Sequence, residues 1–259
     1  VFAAAVLLLF VPQEADAEDT RPVAGTEDET ALQDPGSADA DADQPEDADL
    51  DAADDELDDE PDEDAGDEDE DDDPRADGPF DIEEVDLGQD DITRIDLGSL
   101  ILTPWQGLNL QLQVHEATQQ VRAVTGIWRN SGLEISLFAA PASGGLADDL
   151  REELVEEAQQ AGGTAELARG PFGTEVRRVM PQTGPQGQQL FHVSRIWFAE
   201  GPRWLLRGTL LGEAALAEGG EAKAGPFVEF FRNLVVRRGV KPMVPGELIT
   251  MELPTRDAS

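Results

Sequence analysis

Residues 191–211, FHVSRIWFAEGPRWLLRGTLL, restrict the possible folds of this chain more than any other stretch. They read as two β-strands joined at Ala199-Glu200-Gly201-Pro202, where glycine and proline supply turn geometry. On the first arm Phe191, Val193, Arg195 and Trp197 share one face, while Leu190, His192, Ser194, Ile196 and Phe198 share the other. On the second arm Trp204, Leu206 and Leu210 oppose Arg203, Leu205, Arg207 and Leu211. Both arms are apolar on both faces, so a stable fold must cover this hairpin from two sides.

The remaining composition sorts itself around that hairpin. The chain has 259 residues and a net charge of -39, and the acid excess is concentrated in residues 13–78, where Arg21 and Arg75 are the only basic residues. That segment has almost nothing to bury, so ordering entropy cannot be recovered and a disordered acidic tail is expected. Residues 1–12, VFAAAVLLLFVP, form a short apolar leader, well below the roughly 20 residues that span a bilayer. Read instead as a signal-peptide core before Ala15-Asp16-Ala17, they would make the protein secreted. Cysteine is absent and His115 and His192 are the only histidines, which excludes disulfides, thiolate metal sites and His-rich metal sites. A pI near 4.1 argues against a duplex nucleic-acid binder, which needs a basic face.

From Phe80 onward the pattern is that of one domain over residues 79–254, with residues 255–259 frayed. Short strands are expected at 100–103, 108–115, 121–129 and 133–139, a four-stranded antiparallel meander. Leu146, Leu150, Leu154 and Ala158 recur at helical spacing and predict a helix over 146–161. Strands at 164–168 and 174–180 lead into the central hairpin. Pro226, placed at a first helical position, predicts a second helix over 226–234 with Phe227, Phe230, Phe231 and Leu234 on its buried side. Val235–Arg238 reads as a last edge strand and 243–254 as an extended arm on the surface. The expected class is therefore α+β, a twisted antiparallel sheet with two main helices packed on it. Its order of elements is similar to the Mog1/PsbP-like sandwich, by analogy alone.

No phosphate loop, nucleophile elbow, His-Glu-x-x-His or dinucleotide fingerprint occurs, and no catalytic residue, metal ligand or cofactor is expected. His115 and His192 read as structural histidines, without a nucleophile or carboxylate at a recognisable spacing. The arginines of the C-terminal third carry the positive signal. Arg195, Arg203, Arg207, Arg237 and Arg238 are the candidate patch for an anion or an anionic partner, with Arg177, Arg178 and Arg232 nearby in sequence. Their alternative role is to pair with Glu175, Glu200 and Glu229.

With GPFGTE at 170–175, GPRWLLRG at 201–208 and FFRNLVVRRG at 230–239, the chain resembles an actinobacterial family of proteins of unknown function, DUF3710. The resemblance covers residues 79–254 and implies an acidic N-terminus followed by one such domain. Members are usually encoded near the dUTPase gene, which implies a cytoplasmic setting, and the family supplies no catalytic residues to carry over. Taken together, a non-enzymatic binding or adaptor domain for a protein or small anionic partner is expected. The alternative is a metal-dependent hydrolase or nucleotide-handling enzyme that uses Asp and Glu.

Overall fold

The computed structural model describes residues 4–9, by their backbone, and 73–90, 92–216 and 220–254. Residues 13–72 of the expected acidic tail and the C-terminal 255–259 lie outside the described residues. In chain order the elements are β1 (Ala4–Leu9), β2 (Phe80–Asp81), β3 (Ile95–Asp96), β4 (Leu100–Leu102), β5 (Asn109–His115), β6 (Gln120–Trp128) and β7 (Ser131–Ala139). Then come α1 (Leu146–Gln160), β8 (Thr164–Gly170), β9 (Gly173–Thr183), β10 (Gln189–Gly201), β11 (Trp204–Gly212), α2 (Glu221–Arg232) and β12 (Val235–Val236). The class is α+β, as the patterning implied.

Eight strands form one antiparallel sheet in the order β1-β5-β6-β7-β11-β10-β9-β8, so the β10–β11 hairpin lies inside it with partners on both sides. The turn is tighter than the sequence suggested. Gly201 pairs with Trp204, which leaves Pro202 and Arg203 as the corner, with Arg203 at φ 60°. Similarly, Trp128 pairs with Ser131, and the β6–β7 turn falls on Arg129 and Asn130 rather than 130–132. Each sheet face is covered in part by one helix. Leu146, Leu150 and Leu154 of α1 pack on Val176, Ile196, Phe198 and Leu205. On the opposite face Phe227, Phe230 and Phe231 of α2 join Leu133, Ile135, Trp197, Trp204, Leu206 and Leu210 in the main core. Gly126 and Gly208 let α2 approach closely, since a Cβ on Gly208 would meet the Phe231 ring at 2.8 Å and one on Gly126 would meet Phe230 at 3.3 Å.

Several expectations are corrected. The meander has three strands in the large sheet. Strand β4 instead joins a second sheet, ordered β2-β12-β4-β3, because Leu97, Leu100 and Leu102 all pack into the α2-side core and Pro104 stops the run before β5. Val235–Val236 is correspondingly an inner strand between β2 and β4, not an edge. Helix α2 begins at Glu221, five residues before Pro226, which sits inside it. The residues from Glu221 to Ala224 form its first turn, and the missing N–H of Pro226 costs one intrahelical bond. The start of β10 projects beyond the helices, leaving Leu190 and Phe191 43% and 63% exposed. The apolar run near the N-terminus supplies a strand, Ala4–Leu9 pairing antiparallel with Leu110–His115.

The arm at 243–254 does more than lie on the surface. Strands β6 and β7 are in register from Val124–Ile135 to Trp128–Ser131 and then diverge. Residues 246–251 enter the gap: Ala139 N–H donates to Glu247 O and Ile249 N–H to Leu137 O, both 2.8 Å, while Val121 and Met251 exchange two bonds at 2.8 and 2.9 Å. Ile249 and Met251 are buried there. No helix among the described residues is long and apolar enough to cross a membrane.

Candidate functional site

A buried charge network stands on the α2 face of β9 and β10. Arg177 and Arg195 are register partners, so two like charges face each other on one side of the sheet, an arrangement that is unstable alone. Glu175, 1% exposed, resolves it. Its Oε1 accepts from Arg195 Nε at 3.0 Å and Arg177 Nε at 2.8 Å; its Oε2 accepts from Arg195 NH2 at 3.0 Å and Trp197 Nε1 at 2.8 Å. Arg195 NH1 then donates to Glu221 Oε1 at 2.9 Å, tying the first turn of α2 to the sheet. The hydrogen bond to Glu175 raises the Arg177 guanidinium above its ordinary value. Gly170 gives the network room, since a Cβ there would lie 2.7 Å from Glu175 Oε2. Two positive and two negative groups close on each other, and the arrangement joins a helix to a sheet without a spare charge.

A second tie fixes the N-terminal side of the domain to the hairpin. Trp204, fully buried, donates from Nε1 to Asp81 Oδ2 at 2.7 Å. Arg75 lies over the Trp204 ring and makes two bonds to Glu84, which hold that carboxyl below the usual glutamate range. Glu200, expected to pair with an arginine, instead accepts from the N–H groups of Gly145 and Ala147 at 3.1 Å each and so caps α1 from the neighbouring strand. Of the other expected pairings, Glu175 does hold Arg177 and Arg195, and Glu229 holds Arg232.

The five candidate arginines occupy several distinct places. Arg195 is enclosed in the Glu175 network. Arg203 is exposed at the hairpin corner, and its carbonyl accepts from Arg238 Nε at 3.1 Å, so these two meet through backbone. Arg238 also donates to Lys241 O, and Arg237 is taken up by Asp96 and the Gly98 carbonyl. Arg207 lies across from Phe198 on the α1 side, the face opposite Arg195.

Arg207 differs from the rest. Helix α1 covers β8, β9 and β10. Beyond it the same sheet face carries Gln113, Glu134, Ser136 and Arg207 around an open-sided cavity of about 330 Å³, lined also by Phe138 and by Leu248 of the C-terminal arm. The Arg207 guanidinium lies over the Phe138 ring, 5.1 Å from its centre, and among the described residues it has no hydrogen-bond or ion-pair partner. Burial pushes its pKa down from the ordinary arginine value, and the nearby charge of Arg178 adds to that, while Glu134 and Glu157 act against it. Gln113 Nε2 holds Glu134 Oε2 at 2.7 Å, which fixes this carboxylate beside the cavity without closing it onto Arg207. Arg122 and His115 line the same cavity, His115 within 3.1 Å of Thr118 Oγ1. Beneath α1, Ser194 Oγ and Arg178 Nε, on register-paired residues, are buried without partners among the described residues. Chemically the cavity offers a half-buried planar cation, an aromatic surface and a hydroxyl at Ser136.

Gln113, Arg122 and Ser136 escaped the sequence reading because they are ordinary wet-face residues until the sheet brings three strands together. Among the described residues no group of three His, Asp or Glu side chains is placed to hold a metal ion. No curated protein and no solved structure matches the chain. Residues 78–259, which include the Glu175 network, the Trp204–Asp81 tie and the Arg207 cavity, match the family described as Protein of unknown function (DUF3710), and the chain belongs to that family.

Proposed function

We propose that the domain is a non-enzymatic binding module whose ligand presents an anionic group to Arg207. The observation that carries this reading is a half-buried guanidinium with no hydrogen-bond or ion-pair partner among the described residues, Glu134 standing near it but bonded to Gln113. Buried charges are ordinarily paired, because leaving one unpaired forfeits its hydration without return. A ligand carboxylate or phosphate supplies the missing partner, and the planar fork of arginine favours two parallel hydrogen bonds to it. The cavity, about 330 Å³, lies at the small end of the range of ligand pockets, which suits one anionic group or one side chain. An enzyme of the Asp/Glu metal type would need converging carboxylates, and Glu134 stands alone among Gln113, Arg122, Ser136 and Arg207. A cytoplasmic setting belongs to the same reading and rests on the family resemblance.

The test uses the isotope-labelled full chain, titrated with acetate, inorganic phosphate, citrate and a short acidic peptide while amide shifts are recorded. At least one probe shifts Gln113, Ser136 and Arg207, and Arg207→Met abolishes the response while leaving the fold about as stable as before, since a half-buried guanidinium without a hydrogen-bond partner is replaced by an apolar group. Unchanged spectra with all four probes, or an equal response from Arg207→Met, would overturn the reading.

A further inference from the structure

Strand β8 is one edge of the eight-stranded sheet, and among the described residues nothing pairs with its outer side. Its polarity follows from the turn that precedes β9. Gly170 pairs with Gly173 across the two-residue corner Pro171-Phe172, and the pair flanking such a corner exchanges both backbone bonds. Ala165, Leu167 and Arg169, at odd steps from Gly170, therefore turn their N–H and C=O groups away from β9. The geometry on the partner strand agrees, since Thr174, in register with Arg169, gives its carbonyl to Arg151 Nε at 2.9 Å.

The edge is also accessible and chemically marked. Leu167 is 55% exposed at its centre. A cavity of about 770 Å³ borders the end of this edge between Leu167, Arg169 and Gly170 on one side and Asp73, Asp77 and Arg232 on the other. Arg169 has no partner among the described residues. Glu166 points to the other face and has Arg177 as its register neighbour on β9.

We propose that β8 docks an extended segment of another protein as a ninth, antiparallel strand. Cross-strand complementarity specifies it: an acidic residue opposite Arg169, a β-branched apolar residue opposite Leu167 and a basic residue opposite Glu166. Read from its N-terminus, the docked strand has the pattern Glu-x-Ile-Lys. A second copy of this chain is the poorer occupant, because two molecules of net charge -39 repel each other.

The experiment titrates the labelled full chain with the peptide acetyl-Val-Glu-Thr-Ile-Lys-Val-amide and with its charge-exchanged form, acetyl-Val-Lys-Thr-Ile-Glu-Val-amide. The first shifts the amides of Ala165, Leu167 and Arg169, and the exchanged peptide binds about fivefold more weakly, the size expected of two exposed cross-strand charge pairs. Leu167→Pro removes an outward N–H at an edge position that tolerates proline, and it abolishes binding. Arg169→Glu narrows or reverses the preference between the peptides, which decides the matter even if the proline variant does not fold. No shift along β8 with either peptide, equal binding of both, or self-association of the wild-type chain that Leu167→Pro or Arg169→Glu removes would overturn the proposal.

Discussion

Replacing Glu175 by Gln is a severe perturbation with a calculable cost. The carboxylate is 1% exposed and Arg195 3%, so the charge on Arg195 is held away from water by its bonds to Glu175 and by a single bond to the exposed Glu221. The amide keeps the volume of the side chain but turns one acceptor into a donor. Either the Arg195 NH2 and Trp197 Nε1 groups or the Arg177 and Arg195 Nε groups then face an N–H₂ instead of an oxygen. Breaking one partner out of a buried ion pair costs about 3–5 kcal/mol, a large share of the ~5–15 kcal/mol by which a domain is stable. Urea unfolding followed by tryptophan fluorescence measures the loss, and Trp197 reports from inside the network. The double variant Glu175→Met with Arg195→Met removes both buried charges, and it recovers most of the loss because no uncompensated charge remains at the centre. A Glu175→Gln loss below about 1 kcal/mol, or a double variant as unstable as the single one, would refute the reasoning.

Two further outcomes are expected. Trp204→Ala empties a fully buried site and orphans Asp81 Oδ2, costing about 3–5 kcal/mol in chemical denaturation, whereas Trp204→Phe isolates the lost hydrogen bond at about 1–3 kcal/mol. The Glu84 carboxyl is held below its usual range chiefly by the hydrogen bond from Arg75, so its contribution is present above that range and is lost as pH falls through the lowered folded value. Thermal melts of Glu84→Gln should therefore fall below wild type near neutral pH and coincide with it in acid; an equal deficit at both would remove the carboxylate from the account.

The central hairpin was legible because its amphipathy is missing: strands apolar on both faces need two covers, and α1 and α2 provide them. Helix α1 was legible from its 3.6-residue period, and its bounds are off by one residue. The start of α2 was not, since Pro226 marks a first helical turn only on average and the better helix formers before it extend the helix. Arg195 and Arg207 lie on opposite faces for a reason hidden in two residues. Once Pro202 and Arg203 form the corner, Gly201 and Trp204 share a face with Arg195, and Arg207 is forced to the other side. A four-residue turn leaves that parity open. The intrusion of residues 246–251 between β6 and β7 has no local signature at all, because its partners at Val121 and Leu137 are remote in sequence.

That intrusion also sets an order of events during synthesis. The N–H of Ala139 and both backbone groups of Val121 emerge from the ribosome long before the residues that satisfy them. Until residues 246–251 are made, the diverging ends of β6 and β7 form an open seam, and closing it requires a long loop to be drawn shut. The nascent domain can collapse around β10 and β11 earlier, yet its sheet is completed only after residues 246–251 arrive. A stop codon ahead of residue 246 would therefore leave a molecule that holds its helices and its central hairpin and still offers two unsealed strand edges to its neighbours.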